Sequence, residues 1–269
     1  MATVVFVHAH PDDEASSTGG SAARAADEGH RVVIVTCTNG DHGSSPEDLG
    51  EDETLIARRR RETERSVEIL GAHRLVWLDY SDSGMTGWAQ NSADGAFWAA
   101  SVDEAAERLA AVLREEQADI VVVYDWHGGY GHPDHIQVHR VGHRAADLAG
   151  TPRRLESTFN RDAWIRQAEA ARAADPDAAD EWNPDQPGDD GNPMGSSEGE
   201  ITLAVDVRAY AERKQAALAA HASQPDDAGY MAALAPDVFA DAFGTEWFIE
   251  PGVDGPMRWG WIFDDTVAS

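Results

Sequence analysis

Two short stretches hold most of the side chains able to do acid–base or metal chemistry. The first, His8-Ala9-His10-Pro11-Asp12-Asp13-Glu14, supplies two imidazoles and three carboxylates. The second runs from Asp125 through His127 and a glycine-rich Gly128-Gly129-Tyr130-Gly131 to His132-Pro133-Asp134-His135. Imidazole and carboxylate together suit a borderline cation such as Zn²⁺, and a catalytic zinc takes three protein ligands and a water. His10, Asp13 and His135 fit that count, and Fe²⁺ can replace zinc at such a nitrogen and oxygen site. Asp12 leaves the backbone in a different direction from Asp13, which makes it the candidate general base for a metal-activated water. His132 falls one turn before His135, placed to donate to an oxyanion when protonated, with Asp134 orienting it and raising its pKa. Cys37 is the single cysteine, so no disulfide can close within the chain and a thiolate-rich zinc site is excluded.

These stretches must sit where two elements bring them together. Val- and Ile-rich runs at 3–7, 31–36, 74–78 and 119–124 read as strands buried on both faces. Helical patterns at 14–28, 53–70 and 102–116 alternate with them, and a further helix at 133–148 begins on Pro133 and stops before Gly150. This order predicts a Rossmann-like, three-layer α/β/α fold with a mostly parallel sheet, whose ligand sites lie at the carboxyl ends of its strands. Both stretches follow such ends. Residues 201–205 and 245–249 read as later strands and 208–222 as a helix. The segment 173–200 is crowded with Asp, Pro, Gly and Ser and reads as a flexible acidic insertion within one domain spanning 1–269.

The balance of 21 basic against 49 acidic residues gives a formal charge of −28, which repels nucleic acid and anionic membranes. No run reaches the roughly 18 apolar residues of a membrane span, and the chain opens on a strand with no basic leader, so a cytoplasmic protein without stable membrane insertion is expected. The acidity itself reads as a solvated surface, as in a high-salt host. Oligomeric state is left open, a homo-oligomer included. Outside the clusters, His30, His73, His143 and His221 read as core or surface residues, while His8, His42, His127 and His139 stay undecided.

With its AHPDDE at 9–14 and HPDH at 132–135 intact, the chain resembles the PIG-L/LmbE-like zinc deacetylases. It is most similar there to the branch of actinobacterial mycothiol enzymes, a GlcNAc-inositol deacetylase and a mycothiol-conjugate amidase, through Asp82-Ser83-Gly84-Met85, the glycine-rich loop and Ala220-His221-Ala222-Ser223-Gln224. The resemblance implies the same ligands, base and oxyanion residue, and adds Arg59, Asp82 and Ser17 as contacts to a small N-acylated amino-sugar substrate. The glycines flanking Tyr130 either let its phenol swing over the pocket or serve only the turn into the next helix. The implied reaction is removal of an N-acetyl group from an N-acetylglucosaminyl substrate. The alternatives are an amidase cutting a larger acyl group from the same amino sugar and a non-catalytic sugar-binding homologue. A dinucleotide-binding oxidoreductase is disfavoured, because His10-Pro11-Asp12-Asp13 stands where G-x-G-x-x-G would follow the first strand. The acidic segment and the tail bearing Trp247, Trp259 and Trp261 have no counterpart in that resemblance.

Overall fold

A computed structural model describes residues 1–174 and 186–264. Its sheet contains β1 (Thr3–His8), β2 (Arg31–Thr38), β3 (Arg74–Tyr80), β4 (Ile120–Tyr124), β5 (Arg153–Thr158), β6 (Leu203–Asp206), β7 (Thr245–Ile249) and β8 (Arg258–Trp259). The helices are α1 (Asp13–Ser16), α2 (Gly19–Asp27), α3 (Leu55–Leu70), α4 (Val102–Glu115), α5 (Pro133–Ala149), α6 (Arg161–Ala174), α7 (Ala211–Ala219), α8 (Tyr230–Ala232) and α9 (Pro236–Phe243). The eight strands lie in the order β3-β2-β1-β4-β5-β7-β6-β8. The first five run parallel, and β7 adds antiparallel to both β5 and β6.

Alternation along β1 shows why its residues are apolar without a period. Val5 and Val7 join Val33, Val121, Leu109 and Val138 on one face, and Val4 and Phe6 join Val32, Val122 and Leu155 on the other. Both faces are therefore dry, as a parallel sheet between two helix layers requires. The order also decides where chemistry can happen. The chain steps from β1 outward to β2 and β3, then returns to place β4 on the other side of β1, so the carboxyl ends of β1 and β4 flank a topological switch point.

The single helix expected at 14–28 is broken into α1 and α2. The backbone N–H groups of Gly20 and Ser21, exposed by the break, donate to the Glu246 carboxylate at 2.9 and 2.8 Å. Lys214, the chain's one lysine, reaches the same carboxylate at 2.6 Å. Gly20 is required there, because a Cβ would collide with Val207. The α2 start, α7 and β7 are thus tied by one buried ion pair.

The segment expected to be a flexible insertion lies partly outside the described residues, at 175–185. The remainder is anchored: Asp189 N donates to Tyr130 O at 2.7 Å, Gly195 N to Gly129 O at 2.6 Å and Ser196 N to Phe159 O at 2.8 Å. The tryptophan tail closes the far sheet edge, with β8 pairing β6 and Trp261 buried beneath the Arg24 guanidinium at 3.9 Å. No helix among the described residues is long and apolar enough to cross a membrane.

Replacing Lys214 with Met leaves the Glu246 carboxylate buried without its counter-charge, and the expected loss is about 3 kcal/mol of stability. Urea unfolding of the variant measures it, and an unchanged midpoint contradicts the assigned tie.

Candidate active site

The loop leaving β1 turns sharply at Asp12, whose φ of 110° lies in the left-handed region that a non-glycine residue enters only under constraint. Glu14 supplies the constraint. Its Oε2 accepts from Asp12 N at 3.0 Å, while Oε1 is held by Ser66 Oγ at 2.5 Å and His221 Nε2 at 2.7 Å. Arg59 holds the loop from the other side, donating to Pro11 O at 2.5 Å, Gly40 O at 2.9 Å and Asp12 Oδ2 at 3.0 Å. The turn aims Asp12 and Asp13 in different directions from adjacent positions.

Asp13 faces two imidazoles. Its Oδ2 lies 3.5 Å from His10 Nδ1 and 3.4 Å from His135 Nε2, and those two nitrogens are 3.3 Å apart. The other nitrogen of each ring is engaged behind. His135 Nδ1 lies 3.2 Å from the Gly128 carbonyl, which can only accept, so the hydrogen sits on Nδ1 and the Nε2 lone pair faces inward. His10 Nε2 lies 3.2 Å from Asp134 Oδ2, which leaves the Nδ1 lone pair facing inward. Gly128 has φ +67°, and a Cβ there would collide with His135, so the carbonyl reaches the ring only because residue 128 is glycine.

Three electron-rich atoms therefore converge on one point. A tetrahedral set with bonds of roughly 2.0–2.1 Å has ligand-to-ligand edges of about 3.3–3.4 Å, so the triangle has the size and donor chemistry for a zinc-like cation. The surrounding carboxylates favour positive charge here. Burial would depress the His10 imidazole, yet Asp82, Asp13 and Asp134 raise its pKa well above the ordinary value, so without a cation the ring also holds a proton on Nδ1, which a bound metal ion would displace. Burial would raise Asp13, yet His135 and His10 hold it well below the carboxylate range. A second group, His10, Asp82, His132 and Asp134, also meets within 4.8 Å. It uses the protonated side of His10, and Asp134 there is already taken by Ser83 N at 2.8 Å and Ser83 Oγ at 2.5 Å.

Residues 5–146 match the family described as GlcNAc-PI de-N-acetylase, PIG-L. A protein of Thermobifida fusca named 1D-myo-inositol 2-acetamido-2-deoxy-alpha-D-glucopyranoside deacetylase is 40% identical, over 91% of this chain and 91% of its own. The chain belongs to the GlcNAc-PI de-N-acetylase family. Solved structures share its fold: an N,N'-diacetylchitobiose deacetylase from Pyrococcus horikoshii superposes with a TM-score of 0.59 at 24% identity, covering 92% of this chain and 83% of that one. A 4-carboxy-2-hydroxymuconate hydratase from Pseudomonas putida reaches the same 0.59 at 20% identity, covering 96% and 99%, so the fold alone does not choose the reaction.

Around the triangle, this family member places the other expected residues unevenly. Asp12, Ser17, Arg59, Asp82, Tyr130 and His132 line one cleft of about 600 Å³ with His10, Asp13 and His135. Burial raises the Asp12 pKa to about 6, with Arg59 opposing and Asp13 adding to the rise. Burial would also raise Asp82, but His10 beside it and the Gly84 N–H hold it below the usual range.

Two expectations need correction. The Asp134 carboxylate orients His10 and binds Ser83, and it is the Asp134 backbone N–H that meets His132, donating to Nδ1 at 3.1 Å. His132 is accordingly not a raised-pKa, protonated acid: burial and the neighbouring His10 and His135 lower it to about 2, and a neutral ring accepting at Nδ1 carries its hydrogen on Nε2. The Tyr130 loop is tied by backbone hydrogen bonds from Asp189 and Gly195, and the Tyr130 hydroxyl stands 3.4 Å from His135 Nε2. Arg59, 3% exposed, spends most of its guanidinium on the Asp12 loop.

The supporting layer was not read from the sequence. His221, taken as an ordinary histidine, is fully buried against Glu14. Tyr124 stacks on His135 at 4.4 Å and 12°, and its hydroxyl meets His8 Nδ1 at 3.0 Å. Asp125 holds the Gly128–Gly131 loop through the N–H groups of His127 and Gly129 at 3.2 and 2.8 Å. The signal for His221 lay in its 220–224 segment, but nothing local pairs it with a glutamate 207 positions earlier.

Asp134→Asn is expected to weaken cation affinity by about 10–100-fold, because the amide lacks the charge that strengthens the His10 hydrogen bond and its NH2 cannot accept from Ser83 Oγ as the carboxylate does. Competition against a chromophoric chelator reads this, and wild-type affinity in the variant would contradict the assigned orientation of His10.

Proposed function

We propose that the protein is a divalent-metal hydrolase that removes the N-acetyl group of an N-acetylglucosaminyl-inositol pseudo-disaccharide. The observation that carries the reading is the convergence of His10 Nδ1, His135 Nε2 and Asp13 Oδ2 beside a carboxylate, Asp12, that shares their cleft without joining their triangle. The names of the relatives at about 40% identity support the choice of substrate. His10, Asp13 and His135 would hold the cation, for which we propose Zn²⁺ with Fe²⁺ as the substitute. When bound, such an ion lowers the pKa of water to about 7 and polarises an amide carbonyl, so no serine or cysteine nucleophile is needed.

The chain's own groups do the rest. Asp12 accepts a proton from the attacking water, held in place by Arg59 on its Oδ2 and by Glu14 on its backbone N–H. His132, as the neutral Nε2–H tautomer, donates to the oxygen that gains charge as the carbonyl carbon becomes tetrahedral. The Tyr130 hydroxyl stands where it can donate to the same oxygen. As the C–N bond breaks, the amine nitrogen takes the proton held by Asp12, and acetate leaves. Ser17 and Asp82, on the cleft wall, are placed to meet sugar hydroxyls, and Arg59 acts through Asp12 as a positioning residue.

One observation favours the larger-acyl amidase as a second reading. Met85, Phe159, Trp164, Met194, Met231 and Phe243 also line the cleft, more apolar side chains than an acetyl methyl needs.

Amine release from GlcNAc-inositol by the zinc-loaded protein is expected, and Asp12→Asn should cut it by about 10²–10⁴-fold while metal content stays unchanged. Undiminished hydrolysis by that variant would sink the assignment of the base. Faster release from an N-acylcysteinyl analogue of the same amino sugar than from the acetyl substrate would move the function to the amidase.

A further inference from the structure

A further group of metal-type ligands stands outside the lining of the catalytic cleft. His139 and His143 are four apart on α5, so their side chains share one face. Their rings are 4.5 Å apart between centroids. Glu156, on the neighbouring β5, points its Oε1 between them, 2.8 Å from His143 Nε2 and 3.7 Å from His139 Nδ1. One ligand atom from each residue lies within 4.8 Å of the others.

Several details go beyond a structural hydrogen bond. His139 Nδ1, the nitrogen on the Glu156 side, also lies 3.1 Å from the Tyr124 carbonyl, so a cation that takes Nδ1 as its ligand moves the neutral ring's hydrogen to Nε2. Both histidine side chains are 23% exposed and Glu156 is 10% exposed, which leaves room for water to complete a coordination shell and an entry path from solvent. Two imidazoles four apart on a helix with one carboxylate match the donor set of a borderline divalent cation.

We propose that His139, His143 and Glu156 form a second divalent-cation site that joins α5 to β5, separate from the catalytic triangle. Because α5 also carries His132 and His135, an ion there would brace the helix that presents two active-site imidazoles.

Metal-free protein equilibrated with Zn²⁺ is expected to take up one ion per chain more than the His139→Gln/His143→Gln variant. Asp13→Ala should lose the other ion and keep this one, and the double variant should keep its hydrolytic activity. Equal uptake by the wild type and the double variant overturns the site. Should that variant fold poorly, acylation of the wild-type histidines by diethyl pyrocarbonate, mapped by mass spectrometry, decides the matter. Zn²⁺ is expected to slow modification of His139 and His143, and labelling at an unchanged rate contradicts the proposal.

Discussion

Three lone pairs held against one another at 3.3–3.5 Å are the constraint on which the rest of this structure depends. Such an arrangement repels itself unless a positive charge sits among the donors, and it is assembled only by fixing each from behind. Asp134 and Ser83 hold His10, the Gly128 carbonyl holds His135, and the His10 N–H holds Asp13 Oδ2 at 2.8 Å. Those holders come from three separate stretches. They meet because β1 and β4 are neighbours at the point where the strand order reverses.

The same loop stores backbone strain at Asp12. A left-handed turn at a non-glycine residue costs on the order of 1–3 kcal/mol, and the surrounding bonds keep it in place: Arg59 in front, with Glu14, Ser66 and His221 behind. The turn lets consecutive aspartates serve two tasks, one facing the imidazoles and one facing the cleft. A purely structural loop would gain nothing from it, since glycine adopts the conformation at less cost.

What the sequence made legible follows from how locally each feature is encoded. β1, β2 and β4 declared themselves because burial on both faces leaves only apolar residues, β3 by a short apolar run although it proves to be the half-buried edge strand and not one buried on both faces, and α3, α4 and α5 because their amphipathic period and end signals are continuous. β5 escaped notice for the opposite reason. Its Arg153, Arg154 and Glu156 look like loop residues until Glu250, Asp147 and His143 are seen to pair with them. His10, Asp13 and His135 could be singled out because two motifs carry them within a few positions. The role given to Asp134 was misread because adjacency to His132 in sequence suggested contact, whereas the first turn of α5 points that carboxylate at His10. The layer formed by His221, Glu14 and Glu246 joins residues some 200 positions apart, and composition holds no trace of such pairing.

The central claim is that the cation binds the inward faces of His10 and His135 with Asp13, and that the Asp134 side of His10 is its support. Anomalous diffraction at the zinc edge from crystals of the zinc-loaded protein tests it directly. The account places the peak between His10 Nδ1, His135 Nε2 and Asp13, with His10 Nε2 still bonded to Asp134. A peak between Asp82, Asp134 and His10 Nε2, with the triangle empty, would contradict it.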